Sequence, residues 1–294
     1  MQHIGFGLWN WIAVIVYLVA MLLVGAYFTK RASQDTDSFF KASGRLPSWA
    51  IGFSIYATAL SAITFMSTPE KAFLTDWAYI AGNIAIVAII PILIAFYVPF
   101  FKKLHVTSAY EYLEARFGPS IRLIGSLLFI IFHLGRIAIV IYLPTLAITA
   151  VSDINPYIVA SLVGILCILY TFLGGFEGVV WSDFIQGVIL LGGALLIIII
   201  GAFEIKGGFG TIVHDAIANK KILSADNWKL NSAAAAIPII FLGNIFNNLH
   251  QYTASQDVVQ RYQASESMEE TKKSLWTNGV LALISAPIFY GMGT

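Results

Sequence analysis

The sequence predicts an all-α, multi-pass membrane protein of about eight transmembrane helices. Three observations carry that expectation. Of the 294 residues, 58% are hydrophobic and only 11% charged, less than half of the roughly one quarter usual in a soluble domain. Mean hydropathy is +0.80. Uncharged stretches recur along the whole chain, and about 20 apolar residues suffice to cross a hydrocarbon core about 30 Å thick.

The spans read as 6–28, 47–68, 76–101, 119–150, 155–174, 179–203, 234–255 and 275–294. No Lys or Arg precedes Lys30, so the first span lacks the basic flank of a signal peptide and reads as retained. The second follows Pro47 and is rich in hydroxyls. The third ends at Lys102 and Lys103, and the polar stretch after it, "TSAYEYLEARFG", predicts a surface helix. Thr107 or Ser108 would cap it, Glu111 and Glu114 favour its first turns, and Gly118 would stop it. The short "SDIN" turn separates the fourth and fifth spans, and Gly174, Gly175 and Gly178 permit a tight turn between the fifth and sixth. After Gly207, Gly208 and Gly210, the segment 204–233 reads as an irregular loop with a short helix. The seventh span closes on amides, and 256–274 reads as a polar loop before the eighth.

Lysines and arginines concentrate in 29–46, 101–122 and 256–274, which share one side if every span crosses. The positive-inside rule places that side in the cytoplasm and the N-terminus outside.

Several functions are excluded by what the chain lacks. With a net charge of +1 and no basic stripe, nucleic acid is not an expected partner. Cys167 is the single cysteine, so neither an internal disulfide nor a thiolate metal cluster can form. There is no G-x-x-x-x-G-K-[ST] and no H-E-x-x-H, so neither nucleotide hydrolysis nor metal-hydrolase chemistry is expected, and no organic cofactor is implied.

The chemistry-bearing residues lie inside the apolar runs. Arg136 falls near the middle of the stretch from Ile121 to Val151, beyond the reach of snorkelling. It requires either a buried ion pair with Asp183 or a cavity in which the guanidinium grips a solute carboxylate through two parallel hydrogen bonds. The second reading is favoured. His133, one turn earlier, reads as hydrogen-bonded between helices or as functional. In span 47–68, Ala57, Ser61 and Thr64 share a helical face, which marks either tight packing or a helix that unwinds to expose carbonyls to a cation. Asp183 and Gln186, about a turn inside their span, offer oxygen to a hard cation such as sodium. Asp257 and Arg261, at i,i+4 spacing, read as a surface pair in a stretch serving as an inner gate.

The blocks "ATALSAITFMSTPEKAF", "TSAYEYLEARFG", "FLGGFEGVVWSDFIQG" and "TASQDVVQRY" together resemble the sodium:solute symporter family. The combination of Ser61, Thr64 and Arg136 is most similar to its bacterial sialic acid transporters. The resemblance covers essentially the whole chain. It implies a cell-membrane protein with two inverted five-helix repeats preceded by one extra helix. On that plan 6–28 is the extra helix, 47–203 the first repeat and 234–294 the start of the second. It implies sodium as coupling ion, held by carbonyls of Ala57 and Leu60 and, at a second site, by Asp183. Ser61, Thr64, Asn83 and Arg136 would surround the solute, with Tyr79 as outer gate and lipid around the bundle. The expected activity is sodium-coupled import of sialic acid. An amino acid such as proline, another sugar or a small organic anion is the alternative cargo. Ala59 and Asn83 depart from the sialic acid pattern, where a hydroxyl and a glutamine are expected. Only two spans of the second repeat are present, so the chain reads as a C-terminally truncated symporter. Two carbonyls fall short of the roughly six oxygens a hard cation takes, and the chain alone is expected not to couple sodium to transport.

Overall fold

A computed structural model describes residues 7–104, 108–223, 225–230 and 236–294. Among the described residues the chain is helical, without strands. Its α-helices are α1 (Leu8–Ala32), α2 (Thr36–Lys41), α3 (Ser48–Ala59), α4 (Ala62–Leu74), α5 (Ala81–Ile92), α6 (Val98–Leu104) and α7 (Ala109–Phe117). Then follow α8 (Pro119–Val151), α9 (Pro156–Glu204), α10 (Gly208–Ala218), α11 (Ile237–Ala254), α12 (Gln256–Ala264) and α13 (Met268–Met292). Among the described residues five helices are long and apolar enough to cross a membrane, or six if the bent pair α3–α4 is one span. The protein is a multi-pass membrane protein. α11 falls outside that set, since Asn244, Asn247, Asn248, His250 and Gln251 interrupt its apolar character.

Most expected spans lie on these helices, with instructive shifts. Phe6 of the first expected span and 234–235 of the seventh lie outside the described residues. α1 runs on to Ala32, with Lys30 and Arg31 in its last turn, where cations favour the helix dipole. Span 76–101 appears as Ala78–Leu104, eased by a π-helical stretch at Leu93–Tyr97 just after Pro91. The surface helix is α7, capped by Ser108, whose Oγ accepts from the Tyr110 N–H at 3.2 Å. Thr107, the other candidate cap, lies outside the described residues.

One expectation is corrected. The stretch 256–274 is not a loop: it forms α12 and the first turns of α13. The Ser267 hydroxyl caps α13 by accepting from the Glu270 N–H at 3.2 Å. Glu269 and Glu270 then meet Lys272 and Lys273 one turn later, so this polar end of the helix is satisfied locally.

α9 is one unbroken helical run of 49 residues except at Gly175, whose φ of 55° and ψ of −160° are non-helical. Straight, that length would reach about 74 Å, more than twice the hydrocarbon thickness. The expected tight turn is therefore a break at one residue. α1 seats against the part of α9 before it, because Gly25 and Gly174 let the two backbones meet. A Cβ on Gly25 would lie 2.6 Å from the Tyr170 carbonyl, and one on Gly174 3.1 Å from the Gly25 Cα.

The largest buried cluster joins Ile51 and Ile55 of α3, Ile89 of α5, Val180 of α9, Tyr262 of α12 and Leu275 of α13. α8 contributes only Thr145 to the buried set and presents most of its apolar side chains outward.

Gly175 occupies a backbone region essentially reserved for glycine, and an added Cβ would sit 2.9 Å from that of Ala32. Gly175→Ala is expected to cost about 1–3 kcal/mol, seen as a lower unfolding temperature of the detergent-solubilised protein.

Candidate functional site

The site is organised by the break between α3 and α4, whose axes differ by 62°. Leu60 and Ser61 are extended, at ψ 123° and 172°. The Leu60 N–H still donates to the carbonyls of Tyr56 and Ala57, both at 3.1 Å. Ser61 and Thr64 form a reciprocal capping box at 3.4 Å each way. The carbonyl end of α3 and the N–H end of α4 therefore meet mid-span. A shared helical face through Ala57, Ser61 and Thr64 is corrected by this break, because Ser61 stands outside both helices.

Beside the break lies a cavity of about 180 Å³, lined among others by Tyr56, Leu60, Thr64, Asn83, Asn278 and Ser285. Leu60, Thr64 and Asn83 are thus brought together, with Asn83 Nδ2 donating to the Ala282 carbonyl at 3.1 Å. Ser61, Ala57, Tyr79 and Arg136 do not line it. Tyr79 is 36% exposed and stacks under the Lys71 ammonium, 4.8 Å from its ring centre. Sequence reasoning missed Tyr56, Asn278 and Ser285. The last two are seven residues apart, two turns along one helix face, and that polar repeat in an apolar span was the available signal.

Arg136 reaches the break from α8. Its Nη2 donates to the Thr58 carbonyl at 3.2 Å, so the guanidinium caps the negative end of α3. Its Nη1 stands 3.7 Å from Asp257 Oδ2, an ion pair too long for a hydrogen bond. The alternative pairing of Arg136 with Asp183 is therefore overturned. His133 Nδ1 meets the Phe129 carbonyl of its own helix at 3.2 Å, so it bridges no helices through that atom. Its Nε2 lies 4.0 Å from Asp257 Oδ2. The Asp257 carboxylate also bears on Tyr110 of α7. Burial first, then that negative charge, push the Tyr110 phenol up to about 12 and keep it neutral.

Asp183 is held elsewhere. Its Oδ2 accepts from Arg261 Nη2 at 2.9 Å and from Ser54 Oγ at 2.5 Å. Arg261 Nε also donates to Ser54 Oγ at 2.9 Å, and Arg261 Nη1 to the Asp257 backbone carbonyl at 2.5 Å. Its guanidinium lies 5.8 Å from the Phe176 ring centre. Arg261 is only 5% exposed, so the expected surface pair with Asp257 is corrected to a buried knot joining α3, α9 and α12. Gln186 Nε2 turns away, to Tyr170 Oη at 3.3 Å and Met21 Sδ at 3.7 Å. Asp183 and Ser54 are hard oxygen donors of the kind sodium takes, and in this structure both are engaged by Arg261.

A multi-pass helical bundle built around a helix broken in mid-span, with charged side chains gathered at the break, is the build of a secondary transporter. The chain belongs to the sodium:solute symporter family, which it matches over residues 39–293. It is 46% identical to the sodium/sialic acid symporter SiaT of Proteus mirabilis (strain HI4320) over 294 residues, 100% of this chain and 59% of that protein. It is likewise 46% identical to the sodium/sialic acid symporter NanT of Aliivibrio fischeri (strain ATCC 700601 / ES114), covering 100% of this chain and 58% of that one. A solved structure of a Na+-coupled sialic acid symporter, in a substrate-bound outward-open state that reveals a novel Na+ site, superposes with a TM-score of 0.93 at 46% identity. The superposition covers 98% of this chain and 61% of that one. The chain thus spans about three-fifths of the length of these relatives.

Asp183→Ala leaves the Arg261 guanidinium buried without its carboxylate, and is expected to cost about 3–5 kcal/mol. The paired change Asp183→Asn with Arg261→Gln should recover most of that loss, as thermal unfolding of the two variants would show.

Proposed function

We propose that the chain takes part in sodium-coupled symport of sialic acid into the cell by alternating access around the α3–α4 break. The observation that carries this reading is Arg136, a half-buried guanidinium set against the carbonyl end of a broken helix. Of its five N–H donors, one hydrogen-bonds Thr58, and the Asp257 contact is a loose ion pair. The planar fork can therefore take a solute carboxylate through two charge-assisted bonds. Sialic acid carries that group, and the names of the relatives at 46% identity support the choice.

In this reading Ser61, Thr64 and Asn83 hold the hydroxyls and amide of the solute, and Tyr79 closes the site on the outer side. Sodium takes carbonyls of Ala57 and Leu60 at the break and, separately, the Asp183 carboxylate. A cavity of about 180 Å³ lies below the usual ligand-pocket range of about 300–1,000 Å³, so loading the solute requires the site to widen. The break at Gly175 splits α9 into two crossings, giving eight with α11. α1 is then an extra helix, α3 to α9 the first repeat, and α11 to α13 the start of an inverted second. The N-terminus faces outward, in a cell membrane.

The test is binding of N-acetylneuraminate to the purified chain by calorimetry, in sodium and in choline. Arg136→Ala is expected to abolish binding. Arg136→Lys should weaken it about tenfold or more, because the ammonium lacks the bidentate fork. Wild-type affinity in the alanine variant would remove the carboxylate role.

A further inference from the structure

Helix α12 carries one carboxylate and one guanidinium four residues apart, Asp257 and Arg261. Such a pair ordinarily turns inward on itself. Here each side chain reaches a different helix: Asp257 meets Arg136 of α8, and Arg261 meets Asp183 of α9. We propose that α12 is an internal competitor for both ligands, Asp257 standing in for the solute carboxylate on Arg136 and Arg261 standing in for sodium on Asp183. This rests on the assignment of Arg136 to the solute and Asp183 to sodium made above.

The geometry supports competition at both ends. Arg261 engages Asp183 Oδ2 at 2.9 Å and Ser54 Oγ at 2.9 Å, covering two of the hard oxygens a sodium ion would use there. While the guanidinium stays, the carboxylate is neutralised and a second cation beside it meets a like charge. At the other end Asp257 Oδ2 stands 3.7 Å from Arg136 and 4.0 Å from His133, close enough to repel an incoming carboxylate. That contact is looser than the two-bond grip a free carboxylate can form, so a solute can displace it.

Both stand-ins sit on one short rigid element, so releasing one loosens the other. α12 is docked by Val258, Val259 and Tyr262, which are buried. Gln260 Nε2 donates to the Phe40 carbonyl at 2.6 Å and Gln263 Nε2 to that of Phe101 at 2.8 Å. A ligand that displaces either charge therefore favours the undocked helix, and so favours the other ligand. That is positive coupling of sodium and solute through one two-state element.

The experiment uses the full chain in nanodiscs, titrated with sodium chloride against choline chloride at fixed ionic strength. The readout is tryptophan fluorescence, because Trp49 and Trp181 pack on Phe184, the residue after Asp183, at 5.3 and 6.2 Å between ring centres. Arg261→Gln should lower the half-saturating sodium concentration about tenfold, whereas Arg261→Lys, which keeps the charge, should stay within about threefold of wild type. Asp257→Asn should bind N-acetylneuraminate about fivefold more tightly by calorimetry. A second readout needs no variant: sodium added to the wild-type chain should speed deuterium exchange of the α12 amides. Unchanged or weaker sodium binding in Arg261→Gln overturns the proposal, as does unchanged α12 exchange in the wild type should that variant fail to fold. A half-saturating sodium concentration in the Asp183→Asn, Arg261→Gln double variant as low as in Arg261→Gln alone overturns it too, and also removes Asp183 from the sodium site, since the site at Ala57 and Leu60 is common to both variants.

Discussion

A bilayer interior offers no water to an orphaned carbonyl, and the charged contacts gathered around Arg136 follow from how the chain answers that at the α3–α4 break. Ending a helix in mid-membrane exposes the last carbonyls of α3 and the first N–H groups of α4. Leu60 folds back its own N–H onto Tyr56 and Ala57, Ser61 and Thr64 cap the start of α4, and Arg136 closes on Thr58. These partners are polar or charged, and each needs its own compensation in a medium where an unpaired charge costs several kcal/mol. The guanidinium that stabilises the break thus brings Asp257, and Asp257 brings α12. A local irregularity in one helix recruits side chains from elements nearly two hundred residues away.

Close backbone packing makes that recruitment possible. A Cβ on Gly52 would stand 2.4 Å from the Ser274 carbonyl, so α3 and α13 touch backbone to backbone there. The same contact sets Asn278 on α13 where its Nδ2 donates to Tyr252 Oη at 2.8 Å. Tyr252 in turn accepts, through its carbonyl, the Tyr262 hydroxyl at 3.0 Å. The chain of contacts from cavity wall to α12 is continuous and buried. Displacing α12 therefore disturbs the lining of the cavity as well as the charges at the break.

What the sequence made legible depended on how local the cause was. The break was foreshadowed by small and hydroxyl residues crowded between Ser54 and Thr68, and the kink in α9 by Gly174, Gly175 and Gly178, because turn chemistry is written within a few residues. Family membership was readable from four blocks for the same reason. Helix α12 is harder to read: its charges suggest a loop, although Val258, Val259 and Tyr262 mark a buried stripe one turn long. The partners of the charged residues were not legible at all. Arg261 and Asp183 lie 78 residues apart and Arg136 and Thr58 likewise 78, and nothing within either segment specifies the other.

The parting of Asp257 and Arg261 shows which force decides. Turned toward each other on a wet surface, they would stabilise α12 by about 0.3–0.5 kcal/mol. Turned away, each enters a site where the surrounding polarisability is lower and the same Coulomb attraction is several times larger. Arg261 keeps only the backbone of its neighbour, through the Asp257 carbonyl, and gives its two remaining donor edges to Ser54 and Asp183. The two ends are unequal, however. The Arg261 end is tight, with side-chain exposures of 6% and 18%, and the Arg136 end is looser, at 34% and 17%. The distances agree, 2.9 Å at Arg261 against 3.7 Å at Arg136, so the attraction that holds α12 is weaker at its Asp257 end.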